Sequence, residues 1–267
     1  MTTAERDGGR KSVVILRCDD VPEPDRSRYG DTEVRTGNHI VAAARAAGFK
    51  VDLRVIDVFG GEPIGDDDRD GQGDGPLYVL TGSATDPYAR DAWVVELRAW
   101  IRRAAGRGAR MYGICFGHQV IAEALGGRCG RHPRGWEVGN ARVDVESVVH
   151  EVGGGGDHSG AWGRFVPPAG PLTILLSHQD EVVDLPPGAV SWLRGGFCRH
   201  QGFLLGAHIA TVQGHPEYET AQVRSLYERR RAVLGNLATD AAQQSAAAPH
   251  SGMTISACLI RWLFGTD

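Results

Sequence analysis

A cysteine stands between two glycines in Tyr112-Gly113-Ile114-Cys115-Phe116-Gly117-His118-Gln119, directly after an apolar run and before an apparent helix. This G-x-C-x-G pattern is the cysteine version of a nucleophile elbow, a sharp turn from strand to helix. Such a turn strains the backbone of its middle residue and needs glycine where a side chain would clash. It would also place the Cys115 sulfur at a helix N-terminus, where the helix dipole favours the thiolate. On its own, the pattern fits a buried structural cysteine equally well.

A second segment far downstream supplies partners for a reactive cysteine, in Thr211-Val212-Gln213-Gly214-His215-Pro216-Glu217. Pro216 biases His215 away from helical angles, and in an extended chain the side chains at i and i+2 point to the same side. His215 would accept the thiol proton and later deliver a proton to the leaving nitrogen, while Glu217 would orient the ring. An isolated H-P-E is more typical of a surface turn, but together with the elbow it favours a catalytic site.

Strands and helices alternate along the first half of the chain. Hydrophobic periodicity predicts strands at 12–18, 51–58, 77–80 and 110–114, and helices at 31–47, 87–105 and 117–125. This alternation predicts an α/β fold, with a mostly parallel, doubly wound sheet and helices on both faces. After Arg128 the pattern changes to several shorter strands, which indicates a small additional antiparallel region before a helix at 219–234.

The whole chain, residues 1–267, is interpreted as a single domain with a core at about 12–234. The segment 238–249 is rich in Ala, Gln and Ser and is predicted to be a loose linker. Residues 252–264 are predicted to form a closing helix. The glycine-rich segment 149–163 is interpreted as an exposed hairpin or loop.

Composition and charge exclude several classes of protein. The 267 residues, 42% of them hydrophobic, suffice for one α/β domain with a sizeable core. The formal net charge of -4 gives no indication of a nucleic-acid partner, and no apolar run reaches the length of a membrane span. The first ten residues are polar and lack the apolar core of a signal peptide.

The cysteines are scattered and odd in number, and no C-x-x-C pair occurs among Cys18, Cys115, Cys129, Cys198 and Cys258. This spacing suggests neither a disulfide framework nor a zinc site, so no metal is expected. Because a free thiolate nucleophile suits a reducing compartment, a cytoplasmic location is predicted.

Three motifs together resemble those of the class I glutamine amidotransferases, a family with a Cys-His-Glu triad. They are the elbow from Gly113 to Gln119, a middle H-x-D in Ser177-His178-Gln179-Asp180, and the late G-H-P-E from Gly214 to Glu217. They occur in the family's order, and the resemblance covers roughly residues 12–234. The stand-alone branch of the family has the most similar motifs, which here read G-I-C-F-G-H-Q, S-H-Q-D-E-V and Q-G-H-P-E-Y. This branch includes GMP-synthase-like amidotransferases and plant γ-glutamyl peptidases.

The resemblance implies catalytic roles for Cys115, His215 and Glu217. An acyl-transfer site also needs N–H donors that face the developing oxyanion. The amide of Phe116, next to the nucleophile, is one candidate. The resemblance supports Gly82 as the other, although Thr81-Gly82-Ser83 is also consistent with a simple strand-ending turn.

The resemblance further implies that Gln119 and Asp180, with His178 beside them, hold the α-amino and α-carboxylate groups of a γ-glutamyl unit. Asp180 could pair with the ammonium, and Gln119 can both donate and accept hydrogen bonds. Family members close over glutamine at the position of Trp136-Glu137-Val138-Gly139, and whether this segment touches substrate stays open. The run Arg229-Arg230-Arg231 is interpreted as a solvated helix end rather than a phosphate site.

The reaction that these roles imply needs no metal or organic cofactor. The Cys115 thiolate would attack a γ-glutamyl amide, His215 would protonate the leaving amine, and water would release glutamate from a γ-glutamyl thioester. The enzyme could supply ammonia from glutamine to a separate synthetase partner, or it could be a stand-alone γ-glutamyl peptidase or amidase. A third possibility is a catalytically inactive regulatory module. The presence of Cys115, His215 and Glu217 argues against it. The substrate in every catalytic reading is a small γ-glutamyl molecule.

Overall fold

The computed structural model describes residues 9–67, 69–70, 75–146 and 165–265. In these ranges the strands are β1 Lys11–Leu16, β2 Val51–Ile56, β3 Leu77–Leu80, β4 Arg110–Ile114, β5 Arg128–Arg131, β6 Glu137–Val145, β7 Leu172–His178, β8 Asp180–Asp184, β9 Val190–Gly195, β10 Gly202–Leu205 and β11 Ile209–Val212. The helices are α1 Asp25–Tyr29, α2 Thr32–Ala46, α3 Ala92–Gly106, α4 Phe116–Ala124, α5 Thr220–Arg229, α6 Arg231–Leu234, α7 Asn236–Ser245 and α8 Gly252–Phe264.

One nine-stranded sheet, in the order β2-β1-β3-β4-β11-β10-β9-β6-β7, forms the centre of the fold. The first five strands pair in parallel, and the remaining four continue the same sheet in antiparallel pairs. Strands β5 and β8 form a separate antiparallel pair. The predicted α/β class is therefore confirmed, and the antiparallel region is mostly an extension of the main sheet.

Helices cover both faces of the parallel strands because neighbouring strand residues point in opposite directions. Val13 and Ile15 of β1 pack in the cluster that contains residues of α2 and α8. Val14 and Leu16 pack in the cluster that contains residues of α3 and α4. Both faces being buried explains why β1 is an unbroken apolar run rather than an alternating one.

Two predicted helices have different boundaries. The helix expected at 87–105 begins at Ala92, with Asp91 at its N-cap, because Pro87 and the residues that follow form a turn. The helix expected at 219–234 is divided at Arg230 into α5 and α6. This division changes the surroundings of the arginine run, as described below.

The segment 238–249 is wrongly predicted as a loose linker, since most of it belongs to helix α7. Ala242 and Ala246 are buried against Leu175 and Tyr227, and the Ser245 hydroxyl accepts a hydrogen bond from the Asn140 amide at 3.0 Å. Ala and Gln are good helix formers, and the small alanines let α7 approach the sheet closely.

Helix α8 occupies the range predicted for the closing helix. The segment 149–163, predicted as a hairpin or loop, lies outside the described residues. The extent of the single domain, 1–267, stays a prediction. Among the helices in the described ranges, none combines the length and the apolar character needed to cross a membrane.

Candidate active site

The turn from β4 to α4 has the geometry expected of a nucleophile elbow. Cys115 lies between the two elements with φ 51° and ψ -101°, and within the described ranges it is the one residue other than glycine with positive φ. A Cβ at Gly113 would lie 2.6 Å from the Gly117 carbonyl oxygen, and one at Gly117 would lie 2.4 Å from the Leu80 carbonyl oxygen. Both glycines are therefore required by close packing, and the strained Cys115 backbone is held by its surroundings.

His215 and Glu217 lie beside this elbow, beyond the end of β11. The amide of His215 donates to the Leu175 carbonyl at 2.8 Å, which ties the segment to β7. The Nδ1 atom of His215 is 2.8 Å from Glu217 Oε1, and the ring lines the same cavity as Cys115. The three side chains predicted to act together are thus brought together, with the Glu217 bond fixing the His215 ring.

Electrostatic interactions favour a charged pair of His215 and Glu217. Burial alone would lower the pKa of His215, but attraction to Cys115 and Glu217 and hydrogen bonds to both raise it above the ordinary histidine value. Burial alone would raise the pKa of Glu217, whereas the charge of His215 and the hydrogen bond to its ring hold it below the ordinary value. The raised pKa of His215 therefore favours a protonated imidazole next to Glu217, in the cavity that also contains Cys115.

Two further residues restrict the His215 ring, and the predicted site includes one of them. Tyr218 stacks on the ring with centroids 3.9 Å apart and an angle of 5° between the planes. On another side, a Cβ at Gly82 would lie 2.8 Å from His215 Cε1, so only glycine fits there. Tyr218 follows the H-P-E motif directly, but sequence alone gives no signal that it stacks on the histidine.

The two residues predicted to face the oxyanion, Phe116 and Gly82, both lie close to Cys115. Phe116 is the first residue of α4, where a backbone N–H has no acceptor within the helix. Gly82 lines a narrow cavity of about 40 Å³ together with Cys115 and His215. The oxyanion role of both residues stays a proposal.

Gln119 belongs to a buried amide network behind the nucleophile. Its Nε2 donates to the Asp180 carbonyl at 2.8 Å and to Gln213 Oε1 at 3.0 Å. Gln213 in turn directs its own Nε2 at the Cys115 sulfur, 3.7 Å away. Sequence reasoning missed Gln213 as a site residue, although it stands two positions before His215.

His178 and Asp180 are buried close to Gln119, but their polar atoms already have partners. His178 contacts the Asp180 carbonyl through Nδ1 at 2.9 Å and Glu137 Oε2 through Nε2 at 3.0 Å. Asp180 Oδ1 accepts a hydrogen bond from the Tyr88 hydroxyl at 2.8 Å. Among the described residues, those that line the cavity at Cys115 include none of the three predicted substrate ligands, and their contact with substrate stays a prediction.

Trp136 and Arg230 form the wall next to Ser177. The Arg230 guanidinium lies 4.8 Å from the centre of the Trp136 ring and donates through Nη1 to the Ser177 hydroxyl at 2.7 Å. Arg230 lines the cavity that contains Cys115. The interpretation of the arginine run as a solvated helix end is therefore wrong for Arg230, because the break between α5 and α6 turns this residue toward the site.

Three side chains of types that can bind a metal ion lie close together: Glu137, His178 and Cys198. All three are buried, and their ligand atoms lie within 4.8 Å of one another. Hydrogen bonding already connects His178 to Glu137, and the Gln201 amide donates to the same Glu137 oxygen at 2.9 Å. The expectation of no metal stays a prediction.

The family model described as "Glutamine amidotransferase class-I" matches residues 37–231 of this chain. Among curated proteins, "Gamma-glutamyl peptidase 5" of Arabidopsis thaliana is 32% identical over 177 residues, which are 66% of this chain and 65% of that protein. "Gamma-glutamyl peptidase 3" of the same plant is 31% identical over 152 residues, 57% of this chain and 58% of that protein. The chain therefore matches less than two thirds of the length of each relative.

A search of solved structures gives the same fold. A glutamine amidotransferase from Thermotoga maritima superposes with a TM-score of 0.64 at 18% identity, and the match covers 96% of each chain. At this level of identity the likeness concerns the fold alone.

Proposed function

Since this chain belongs to the class I glutamine amidotransferase family, we propose that it is an enzyme that hydrolyses γ-glutamyl amide bonds with Cys115 as nucleophile. The observation that carries this proposal is the arrangement at the elbow. The strained backbone of Cys115, the hydrogen bond between His215 and Glu217, and the cavity that all three residues line support a Cys-His-Glu triad.

In the first half of the reaction, the thiolate of Cys115 attacks the γ-carbonyl carbon of the substrate. The C–N bond breaks as His215 donates its proton to the departing nitrogen, and a γ-glutamyl thioester remains on the sulfur. In the second half, His215 takes a proton from water as the oxygen attacks the thioester carbonyl carbon, the C–S bond breaks to restore the Cys115 thiolate, and glutamate leaves. Glu217 keeps the ring oriented throughout and stabilises its charged form.

The remaining predicted residues would hold the substrate during these steps. The amides of Phe116 and Gly82 would donate to the negatively charged carbonyl oxygen of the tetrahedral intermediate. Gln119 and Asp180 would hold the α-amino and α-carboxylate groups, with His178 fixing the Asp180 backbone through its hydrogen bond. This chemistry uses only side chains and backbone of the chain itself.

Two uses of the same chemistry compete. The printed names of the two plant relatives support a stand-alone γ-glutamyl peptidase or amidase. The family as a whole also supports an ammonia-supplying subunit that works with a synthetase partner. The triad serves both, so the distinction depends on which leaving group the site accepts.

The test is glutamate release by the purified chain from glutamine and from a panel of γ-glutamyl amides and dipeptides. We expect turnover in the wild type and none in Cys115→Ala. Cys258→Ala makes the same chemical change on α8, outside the site, and should retain wild-type activity. Turnover by Cys115→Ala at the wild-type rate would refute the proposal.

We also propose a cytoplasmic location. In the structure all five cysteines are free, which suits a reducing compartment. Fractionation of the source cells, with detection by antibody, would test this, and recovery of the protein outside the cytoplasm would contradict it.

A further inference from the structure

Two arginines from distant parts of the chain line the cavity that contains Cys115 and His215. Arg35 comes from α2, and Arg230 comes from the break between α5 and α6. Within the described ranges, neither guanidinium has a carboxylate at ion-pairing distance, whereas Arg229, next in sequence, pairs with Asp25 at 2.6 Å. Unpaired guanidinium groups beside a nucleophile are suited to bind an anion.

The arginine charges are only partly compensated. Asp19 and Glu217 are the carboxylates among the described residues that line this cavity, and Glu217 is engaged by His215. Two guanidinium groups therefore face one available carboxylate. The Ser177 hydroxyl and the Trp136 ring hold Arg230 in place, and such preorganisation lowers the cost of binding a ligand.

Both arginines line the same cavity as His215, the residue proposed to protonate the leaving group. His215 must reach the departing nitrogen, and it shares the cavity with both arginines, whereas Gln119 and Asp180, assigned to the glutamyl end, are not among the described residues that line it. A neighbouring cavity of about 530 Å³ shares Arg35 with the first one. The space beyond the scissile bond therefore continues past a cationic group.

We propose that Arg35 and Arg230 bind a carboxylate on the leaving group, so that the preferred substrate is a γ-glutamyl amino acid or peptide rather than glutamine. This inference rests on the proposed function, because it concerns the same cavity and the same reaction. When the γ-amide bond breaks, the departing amine takes its proton from His215 and leaves as an amino acid whose carboxylate has been held by the two arginines. Glutamine, whose leaving group is ammonia, has no group to occupy this subsite.

A matched pair of substrates tests this inference. γ-Glutamylglycine and γ-glutamylglycinamide have the same scissile bond and differ in a carboxylate that becomes a neutral amide. We expect kcat/KM for γ-glutamylglycine to exceed that for γ-glutamylglycinamide by roughly tenfold or more, the scale of a charge-assisted hydrogen bond. Arg35→Gln and Arg230→Gln should each reduce this ratio by roughly tenfold, and Arg35→Lys should retain part of it because it keeps the charge.

Two control variants remove an arginine from α2 and from α5, at positions that do not line the cavity. Arg45 is exposed on α2 and Arg224 is exposed on α5, so Arg45→Gln and Arg224→Gln should keep the wild-type ratio. A wild-type ratio near one would overturn the inference, as would a ratio unchanged in both cavity variants. An equal loss on both substrates would also overturn it, because that result would place the arginines at the α-carboxylate of the glutamyl unit.

Calorimetry on Cys115→Ala separates this inference from the proposed function. The ratio of the two dissociation constants, and its loss in the double variants Cys115→Ala/Arg35→Gln and Cys115→Ala/Arg230→Gln, reports the subsite without turnover. If the wild type hydrolysed neither substrate but the binding ratio followed the prediction, the proposed function would fail and the subsite would stand. If the wild type hydrolysed both substrates but Cys115→Ala bound them with equal affinity, the proposed function would stand and the subsite would fail.

Discussion

Cys115 and Arg230 lie on two sides of the same cavity. These two sides are formed by different kinds of structural element. The elbow side, consisting of Cys115, His215 and Glu217, depends on glycines packed closely against neighbouring backbone or the His215 ring. The arginine side, consisting of Arg35 and Arg230, is assembled from a helix face and a helix break almost 200 residues apart. We infer that the first side carries out the bond cleavage and that the second side selects the leaving group.

This division makes a general prediction. Variants on the elbow side should reduce kcat for γ-glutamylglycine and γ-glutamylglycinamide alike, whereas variants on the arginine side should change the ratio between them. An elbow-side variant that changed the ratio, without changing kcat on either substrate, would contradict this division of roles.

The largest effect is expected for His215→Ala. Loss of the general acid and base should lower kcat by roughly a thousandfold on both substrates, within the range known for such groups. Added imidazole should restore part of the activity, because it can enter the space that the ring leaves. Activity within tenfold of the wild type would show that His215 does not move the proton.

Glu217→Gln should lower kcat by roughly a hundredfold, since the amide keeps the size of the side chain but loses its charge. Glu217 contributes to the raised pKa of His215, so this pKa should fall in the variant. Because His215 then loses its proton at lower pH, the alkaline limb of the kcat/KM profile should move to lower pH. Glu96→Gln, an exposed change on α3, should leave the profile in place; an unmoved limb in Glu217→Gln would contradict the assignment.

A smaller effect is expected for Gln213→Met, which preserves volume but removes the amide contacts to Gln119 and the Cys115 sulfur. We expect kcat to fall by roughly tenfold, on the scale of one lost hydrogen bond near a charged group. The thermal unfolding midpoint should be recorded in parallel. A loss of activity matched by general unfolding would assign Gln213 to the fold rather than to the nucleophile.

The smallest effect is expected for Tyr218→Leu, which removes the ring stacked on His215. A less restricted imidazole should lower kcat by roughly threefold, in line with the energy of an aromatic pair. Tyr218→Phe keeps the stack and should remain close to the wild type. If Tyr218→Phe lost as much activity as Tyr218→Leu, the hydroxyl rather than the stack would matter.

The same contrast explains how far the sequence could predict the molecule. The elbow, the parallel half of the sheet and the closeness of His215 to Glu217 follow from local patterns, in which residue type and spacing fix the geometry. Arg35, Arg230 and Tyr218 follow from no local pattern, because their places at the cavity depend on how distant elements pack. The sequence did not predict helix α7, because its alanines are buried by contacts with β6 and α5, which lie elsewhere in the chain. No local pattern in the sequence indicates those contacts.

If Cys115 is the nucleophile, a γ-glutamyl thioester must form on its sulfur. The most direct measurement is mass spectrometry of the peptide that contains Cys115, after γ-glutamylglycine is mixed with enzyme and rapidly quenched in acid. We expect a γ-glutamyl adduct on that peptide in the wild type, which disappears as substrate is exhausted and is absent from Cys115→Ala. Steady hydrolysis of γ-glutamylglycine with no adduct at any time, and with Cys115→Ala still active, would show that the reaction does not pass through Cys115.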